Sequence, residues 1–145
     1  MLSSISPADA ATAGAPAVVP SVLVVEDNFG VAKALSAVLR GAGYDAVPFH
    51  CAADALNHCR GDVTPDAAVV DIHLPDLNGL VLAHKLRERL GPDAPIIVVS
   101  GDTSMETIKS LSHVGATYFF SKPVNSKLLV NQLKDLLGGA SRAAG

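Results

Sequence analysis

The chain carries the stretch VVDIHLPDLNG at residues 69–79. An apolar run ends there at one acid, Asp71, and a turn rich in Pro, Asp, Asn and Gly follows directly. Short apolar runs bounded by turn residues are typical of buried strands. Ligands of open α/β sheets gather at the carboxyl ends of the strands. Asp71 is therefore a candidate site residue, and its neighbours are to be sought at the ends of other strands.

Similar apolar runs recur along the chain and predict further strands. The run VLVV at residues 22–25 is rich in β-branched residues, as is the run IIVV at residues 96–99. Both have the composition and length that buried strands favour. The strands predicted on these grounds lie at residues 22–25, 44–49, 67–71, 96–99 and 117–121.

Between these runs, apolar residues recur at the three- and four-residue spacing of a helix face. Val31 and Leu35 begin such a face, and Gly41 ends it, as glycines do at helix C-termini. Thr103 and Glu106 form a T-x-x-E pattern that predicts a capping box at the start of the fourth helix. The predicted helices span residues 31–39, 52–60, 80–90, 103–114 and 129–137.

Alternating strands and helices predict an α/β fold with a parallel sheet covered by helices on both faces, because the strand runs are apolar throughout. Right-handed crossovers leave few possible topologies. We expect a flavodoxin-like, doubly wound (βα)5 domain with a five-stranded parallel sheet in the order 2-1-3-4-5. In that order strands 1 and 3 are neighbours at the topological switch point.

Both ends of the chain differ in composition from this domain. Residues 1–20 are rich in Ala, Pro and Ser and lack helical or strand periodicity, so we expect a disordered leader or linker. Residues 138–145 have little to pack against the domain, so a disordered tail is expected there. The predicted domain therefore covers residues 21–137.

Composition excludes several classes of protein. The 145 residues are 49% hydrophobic and 17% charged, with a net charge of −3, which gives no basic footprint for nucleic acid. No apolar run approaches the roughly 20 residues that cross a bilayer, and the N-terminus lacks the basic region of a signal peptide. Cys51 and Cys59 fit neither a redox motif nor a zinc site. We expect reduced thiols in a cytoplasmic protein.

Polar residues follow four of the predicted strands. Glu26 and Asp27 follow the first strand, Asp71 ends the third, Ser100 follows the fourth and Lys122 follows the fifth. Any one of them could be an ordinary polar residue where a buried strand meets solvent. Three acids, a hydroxyl and a lysine at one edge of one sheet instead indicate a site.

The chemistry of such a site follows from its charges. Two carboxylates about 4 Å apart repel by roughly 4 kcal/mol at an effective dielectric constant of 20, so a cluster must protonate or hold a cation. Carboxylate oxygens suit Mg²⁺, which organises phosphoryl oxygens. Lys122 can neutralise a further phosphoryl oxygen, and Ser100 can donate to another. Asp71 is the acid best placed to act as a nucleophile, and its product would be an aspartyl phosphate.

The chain from Ser21 to Leu137 resembles the receiver domain of response regulators in two-component signalling. The matching segments are VVEDN at residues 24–28, DIHLPDLNG at residues 71–79, Ser100-Gly101 and Lys122-Pro123. The resemblance implies that Asp71 is the phosphoacceptor. It also implies a site for Mg²⁺ (or Mn²⁺) formed by Glu26, Asp27, Asp71 and the backbone carbonyl of His73.

The same resemblance assigns roles to residues around the phosphoacceptor. Ser100 would sense the phosphoryl group, Lys122 would be its counter-ion, and the bond between Lys122 and Pro123 would be cis. The switch aromatic of the family falls at Phe119, which has no hydroxyl and could also be an ordinary apolar residue at the end of a strand. His73 and Asp102 lie at the two positions that tune the lifetime of the phosphoryl group.

The resemblance implies a signalling phosphoprotein rather than a conventional enzyme. A sensor histidine kinase or a histidine phosphotransfer protein would donate the phosphoryl group, and the domain would catalyse its own phosphorylation and dephosphorylation. The surface formed by helix 4, strand 5 and helix 5 would then change and contact a downstream protein. We expect a cytoplasmic monomer or weak homodimer that binds neither nucleic acid nor membrane. Whether it is a stand-alone regulator or the terminal receiver of a hybrid kinase stays open.

Three other functions share parts of this pattern. A phosphohydrolase of the haloacid dehalogenase type would require a D-x-D motif, but His73 stands two residues after Asp71. A flavodoxin-like FMN binder would require a phosphate loop after the first strand, and the acids Glu26 and Asp27 would repel a phosphate there. A protein-interaction module with a relic pocket, never phosphorylated, remains the alternative, although all five pocket residues are present.

Overall fold

The computed structural model describes residues 19–144, with side chains described through residue 138. The predicted leader at residues 1–20 therefore lies outside the described residues except for its last two. Within the described part, five strands alternate with five helices. Their bounds are β1 Ser21–Val25, α1 Phe29–Gly41, β2 Asp45–Phe49, α2 Ala52–His58, β3 Ala67–Asp71, α3 Gly79–Leu90, β4 Ile96–Ser100, α4 Met105–His113, β5 Tyr118–Ser121 and α5 Ser126–Ala144.

All neighbouring strands are parallel, and they lie in the order β2-β1-β3-β4-β5. The predicted flavodoxin-like fold and strand order are thus confirmed. The order places β1 beside β3 at the centre of the sheet, with Val25 opposite Val70. It also places β4 between β3 and β5, so the ends of four strands meet along one edge.

The three central strands are buried on both faces, whereas the two edge strands are not. The apolar residues of β1, β3 and β4 are at most about 4% exposed, in agreement with their continuous Val and Ile content. Strand β5 has a neighbour on one side alone, and its Tyr118 is 43% exposed. The expectation of strands buried on both faces therefore holds for the centre of the sheet and is wrong for its edges.

Two apolar clusters cover the two faces of the sheet. On one face, Leu82 and Leu86 of α3 pack with Ala52 and Ala55 of α2 against alternate residues of the strands. On the other face, α1 and α5 pack against the remaining strand residues, with Leu39, Leu129 and Leu133 fully buried. Among the described residues, no helix is long and apolar enough to span a membrane.

Helix α4 begins one residue later than the T-x-x-E pattern predicts. Ser104 is its N-cap and accepts a hydrogen bond from the backbone N–H of Thr107 at 3.3 Å. The capping box expected at Thr103 and Glu106 is therefore wrong. The reason lies in Asp102, whose Oδ1 accepts from the N–H of Ser104 at 2.9 Å and keeps Thr103 in the preceding turn.

Two other helix ends also differ from prediction. Helix α2 ends at His58, before Arg60. Helix α5 continues to Ala144, through most of the segment that was expected to be a disordered tail. The pair Gly138-Gly139 costs about 1 kcal/mol per residue within a helix but does not forbid it, and the following ASRAA sequence favours helix.

Candidate functional site

The carboxyl ends of β1, β3, β4 and β5 bring all five predicted pocket residues to one edge of the sheet. Glu26 and Asp27 follow β1, Asp71 and Ser100 end β3 and β4, and Lys122 follows β5. Glu26, Asp71 and Ser100 are buried, with exposed fractions of 5%, 3% and 0%. Burial of three polar groups at one strand edge is unusual unless they have partners or a function.

The ammonium of Lys122 lies between the two buried carboxylates. Its Nζ donates to Oε1 of Glu26 at 2.9 Å and to Oδ2 of Asp71 at 3.0 Å. The Lys122 side chain is 32% exposed, so its charge also reaches solvent. The second oxygen of Glu26 accepts from the backbone N–H of Asn28 at 3.1 Å, which orients that carboxylate.

The pKa values of this pair reflect burial and mutual attraction. Burial raises the pKa of Glu26 above its ordinary value, although hydrogen bonds from Lys122 and Asn28 oppose the rise. Burial also acts to lower the pKa of Lys122, but its hydrogen bonds and attraction to Glu26 and Asp71 outweigh burial and raise it overall. Lys122 therefore stays positively charged. Its single charge does not balance the charges of the two carboxylates that it contacts.

Three carboxylates form a cluster that suits a metal ion. Glu26, Asp27 and Asp71 each offer an oxygen, and these oxygens lie within 4.8 Å of one another. Asp27 is exposed, whereas the other two are buried, so the cluster faces solvent on one side. One lysine against three acids leaves a negative excess, and hard oxygen donors are the ligands that Mg²⁺ prefers. The residues present therefore fit a divalent cation.

The loop after β3 is built around Asp71. The backbone N–H of His73 donates to Oδ1 of Asp71 at 3.2 Å, which places the His73 backbone next to this carboxylate. The imidazole side of His73 is exposed. A polar cleft of about 480 Å³ opens here and is lined by Asp27 together with residues 72–78. The cleft provides access to the carboxylate cluster from outside.

Two residues that hold this loop were not identified from the sequence as part of the site. Asp76 accepts from the N–H groups of Ala52 and Ala53, both at 2.9 Å, and so ties the loop to the start of α2. These hydrogen bonds lower the pKa of Asp76. Because the cap comes from 24 positions downstream, no local capping motif could reveal it.

Gly79 is the second such residue. A Cβ atom built on it would lie 2.1 Å from the carbonyl oxygen of Asp71 and 2.5 Å from Cα of Ile72. Its N–H donates to the carbonyl of Ile72 at 2.7 Å. The first turn of α3 thus packs directly on the backbone that carries Asp71. The sequence indicates a turn residue here, but this close approach exists only in the folded chain.

Ser100 is linked to the start of α4 by a chain of hydrogen bonds. Its Oγ accepts from the N–H of Asp102 at 2.9 Å. The carboxylate of Asp102 in turn accepts from Ser104 N–H at 2.9 Å and from the Thr107 hydroxyl at 2.8 Å. These bonds lower the pKa of Asp102. Asp102 therefore acts here as a structural acceptor in the loop between β4 and α4.

The remaining predicted positions lie on β5 and just after it. Phe119 is half-buried and packs against the apolar cluster on the α3 side of the sheet. Its neighbours Tyr118 and Phe120 face the other way, with ring centroids 5.0 Å apart. The peptide bond between Lys122 and Pro123 is cis.

Comparison with known proteins gives the family. Residues 22–134 match the model of the response regulator receiver domain. The chain belongs to this family. The predicted resemblance to response regulator receiver domains is confirmed.

Relatives of this receiver domain are found in larger proteins. The chain is 30% identical over 118 residues to the sensory/regulatory protein RpfC of Xanthomonas campestris, covering 79% of this chain and 16% of RpfC. It is 31% identical over 113 residues to the DNA-binding response regulator MtrA of Mycolicibacterium paratuberculosis, covering 78% of this chain and 49% of MtrA. The chain thus spans half or less of the length of these two curated relatives.

Solved structures agree with this assignment. The CheY-like receiver domain protein of Methanospirillum hungatei superposes with a TM-score of 0.80 at 26% identity, covering 87% of this chain and 99% of that one. Receiver domains bind Mg²⁺ at an acidic pocket and interact with histidine kinases or phosphotransfer proteins. The cluster of Glu26, Asp27 and Asp71 in this chain is compatible with such a pocket.

Proposed function

We propose that this receiver domain accepts a phosphoryl group on Asp71 from a phosphohistidine of a sensor histidine kinase or phosphotransfer protein. The observation that carries the proposal is the placement of Asp71 between the ammonium of Lys122 and a cluster of two further acids. Residues 21–137 form the functional unit. It works in the cytoplasm, as a monomer or weak homodimer, through contacts with proteins rather than with nucleic acid.

In the proposed reaction, an oxygen of Asp71 bonds to phosphorus while the P–N bond to the donor histidine breaks. The electron pair of that bond stays with the departing imidazole. Lys122 offsets the charge of the phosphoryl group, and the N–H of His73 keeps the Asp71 carboxylate oriented. Glu26, Asp27, Asp71 and the carbonyl of His73 would hold Mg²⁺ or Mn²⁺, which would supply the further positive charge that phosphoryl transfer requires. Water later hydrolyses the acyl phosphate, and His73 and Asp102 tune that rate.

The switch proposed for this domain uses Ser100 and Phe119. If the Ser100 hydroxyl turns to the phosphoryl group, its bond from the N–H of Asp102 is lost, and the loop that caps α4 is released. Phe119 can turn inward into the vacated space on packing alone, because it has no hydroxyl to bond. The surface of α4, β5 and α5, where Tyr118 and Leu128 are exposed, then changes its contacts.

The kind of protein in which this domain works is proposed in broader terms. One relative is a sensory/regulatory protein more than six times longer than the matched region, and another is a DNA-binding response regulator about twice as long. In both relatives the matched region is part of a longer protein. We propose that this domain works either as a stand-alone regulator or as the terminal receiver of a hybrid kinase.

Labelling with a small acyl phosphate donor tests the proposal. The wild-type chain should acquire a hydroxylamine-labile phosphoryl group that depends on Mg²⁺. The Asp71→Asn variant should acquire none, whereas Asp135→Asn, a change at an exposed acid of α5, should label as the wild type does. Persistent labelling of the Asp71→Asn variant would show that the phosphoacceptor is another residue.

The alternative of a relic interaction module makes the opposite prediction. Such a module would neither label nor respond to beryllofluoride with Mg²⁺. A receiver should instead show changes in backbone amide chemical shifts around Asp71 and Ser100 when both are added. The three acids and Lys122 favour the working receiver, since an unused pocket has no reason to keep buried charges together.

A further inference from the structure

The loop between β3 and α3, residues 72–78, is closed on itself like a short hairpin. His73 and Asn78 pair across it as an isolated antiparallel bridge. Asp76 lies in the turn between these two paired residues. Because the bridge joins the two arms of the loop, a displacement of the turn also displaces the backbone of His73. The carbonyl of His73 is one of the proposed ligands for the divalent cation.

Asp76 provides directional contacts for this loop. Leu74 and Leu77 are half-buried against the apolar cluster on the α3 side of the sheet, but apolar contacts have little directional preference. The two carboxylate oxygens of Asp76 accept from the N–H groups of Ala52 and Ala53, both at 2.9 Å. Hydrogen bonds to a charged acceptor are stronger than neutral ones, and two in parallel fix an orientation. The turn of the loop is therefore held against the start of α2.

Helix α2 receives its cap from this loop rather than from its own N-cap residue. The side chains of Asn28, Asn78 and Ser104 each accept an N–H of the helix that they begin. Cys51 is the N-cap of α2, and its side chain makes no such hydrogen bond. Asp76 supplies the missing acceptor from a different part of the chain. It therefore links a helix to a loop, which a local cap would not do.

The start of α2 is also attached to the segment that carries Glu26. The N–H of Glu26 donates to the carbonyl of Phe49 at 2.9 Å. Nδ1 of His50 lies at hydrogen-bond distance, 3.1 Å, from the carbonyl oxygen of Glu26, and the His50 ring stacks on Phe29 with the centroids 3.7 Å apart. Residues 49–53 therefore contact both segments that carry proposed cation ligands.

We propose that Asp76 is a positioning residue for the divalent cation. By joining the loop after β3 to residues 49–53, it holds the His73 carbonyl at a fixed distance from the carboxylates that follow β1. Mg²⁺ demands near-octahedral geometry, so displacement of one ligand lowers its affinity. Residues that orient metal ligands typically contribute about 10- to 100-fold to metal affinity. This inference rests on the proposed function, because it concerns the cation that would assist phosphorylation.

Titration of the full chain with MgCl₂, followed by backbone amide chemical shifts, tests the inference. Asp76→Ala should weaken Mg²⁺ binding by about tenfold. Asp54→Asn removes an equal charge from an exposed position in the first turn of α2, and it should bind Mg²⁺ as the wild type does. Equal weakening in the two variants would show that Asp76 acts through its charge alone and would overturn the inference.

A local cap separates positioning from helix capping. Ser is a preferred N-cap residue, so Cys51→Ser added to Asp76→Ala should recover the melting temperature that the loss of the cap lowers. The Mg²⁺ affinity should remain about tenfold weaker than in the wild type, because the new cap does not hold the loop. Recovery of affinity together with stability would show that Asp76 is a helix cap alone, and the inference would be wrong.

The coupling should also appear in the reverse direction, because binding free energies are coupled reciprocally. Mg²⁺ should slow the hydrogen exchange of the Ala52 and Ala53 amides in the wild type, and unchanged exchange would overturn the inference. If Asp76→Ala does not fold, Asp76→Asn replaces it, since it keeps one acceptor oxygen. A wild-type chain that binds no Mg²⁺ would contradict the proposed cation site as well. Normal binding by the wild type and by Asp76→Ala would overturn this inference alone.

Discussion

The Nζ atom of Lys122 lies 3.0 Å from Oδ2 of Asp71, although 51 positions separate the two residues in the chain. The same ammonium donates to Glu26 at 2.9 Å, so one lysine bridges two buried acids. A buried carboxylate deprived of its partner is costly, because neither water nor another charge compensates it. The three residues therefore depend on one another for stability as well as for chemistry.

Replacing Lys122 by Met should destabilise the fold and reduce phosphoryl transfer. Loss of one partner from a buried ion pair costs roughly 3–5 kcal/mol, but the Lys122 side chain is one-third exposed, so we expect about 1–2 kcal/mol. Added Mg²⁺ should restore part of the loss, since it supplies positive charge to the same acids. Chemical denaturation with and without Mg²⁺ measures the loss of stability and its partial recovery. Lys127→Met, at an exposed lysine of α5, should change neither, and an equal response of the two variants would contradict the prediction.

Replacing Gly79 by Ala should damage the site through the backbone. The new methyl group would overlap the carbonyl of Asp71, and since backbone cannot move aside cheaply, we expect a loss of roughly 3 kcal/mol or more. Phosphorylation of the remaining folded protein should also fall.

Gly41→Ala is the matched control, because nothing lies within 4 Å of its added Cβ and it ends α1. It should be neutral or stabilising by up to about 1 kcal/mol. Urea denaturation compares the two, and a stable Gly79→Ala variant would be inconsistent with this packing.

Asp102 should make stability depend on pH in the acid range. Hydrogen bonds from Ser104 and Thr107 lower its pKa in the folded state below the ordinary value of 3.8, so the unfolded chain takes up the proton first. Its contribution is complete above that value and is lost as pH falls through the folded-state pKa. The difference in melting temperature between the wild type and Asp102→Asn should therefore be positive near neutral pH and shrink below about pH 3.8. A difference that stays constant with pH would refute this role, and Asp135→Asn serves as the control.

Arg87 should be important for stability at the end of the sheet opposite the site. Its guanidinium donates to the carbonyls of Gly91, Ala94 and Gly115 and to the hydroxyl of Thr117. These bonds join the end of α3 to the starts of β4 and β5. Arg87→Met leaves several acceptors without donors, and we expect a loss of roughly 2–4 kcal/mol. Arg89→Met, at an exposed position of the same helix, should cost far less, and thermal unfolding of both variants provides the measurement.

Much of the fold could be predicted because its signals are local. The bounds of β3, Ala67–Asp71, follow from an apolar run that stops at an acid. The strand order follows from handedness rules that apply to any chain of alternating strands and helices. Glu26, Asp71 and Lys122 could be brought together on paper because parallel strands deliver their carboxyl ends to one edge.

Other features could not be predicted because they depend on which of several possible contacts the folded chain makes. The T-x-x-E pattern at Thr103 is overridden by Asp102, whose carboxylate takes the N–H of Ser104. Asp76 caps a helix that begins 24 positions before it. The exposure of Tyr118 results from the position of β5 at the edge of the sheet rather than from its own composition.

The amino-acid sequence alone determined the fold class, the strand order and the residues that gather around Asp71, because hydrophobic period and strand-end polarity are written in neighbouring residues. The tertiary structure alone decided that Lys122 bridges Glu26 and Asp71 and that Gly79 touches the backbone of Asp71. These features depend on distances between segments that are far apart in the chain, and no local pattern encodes those distances.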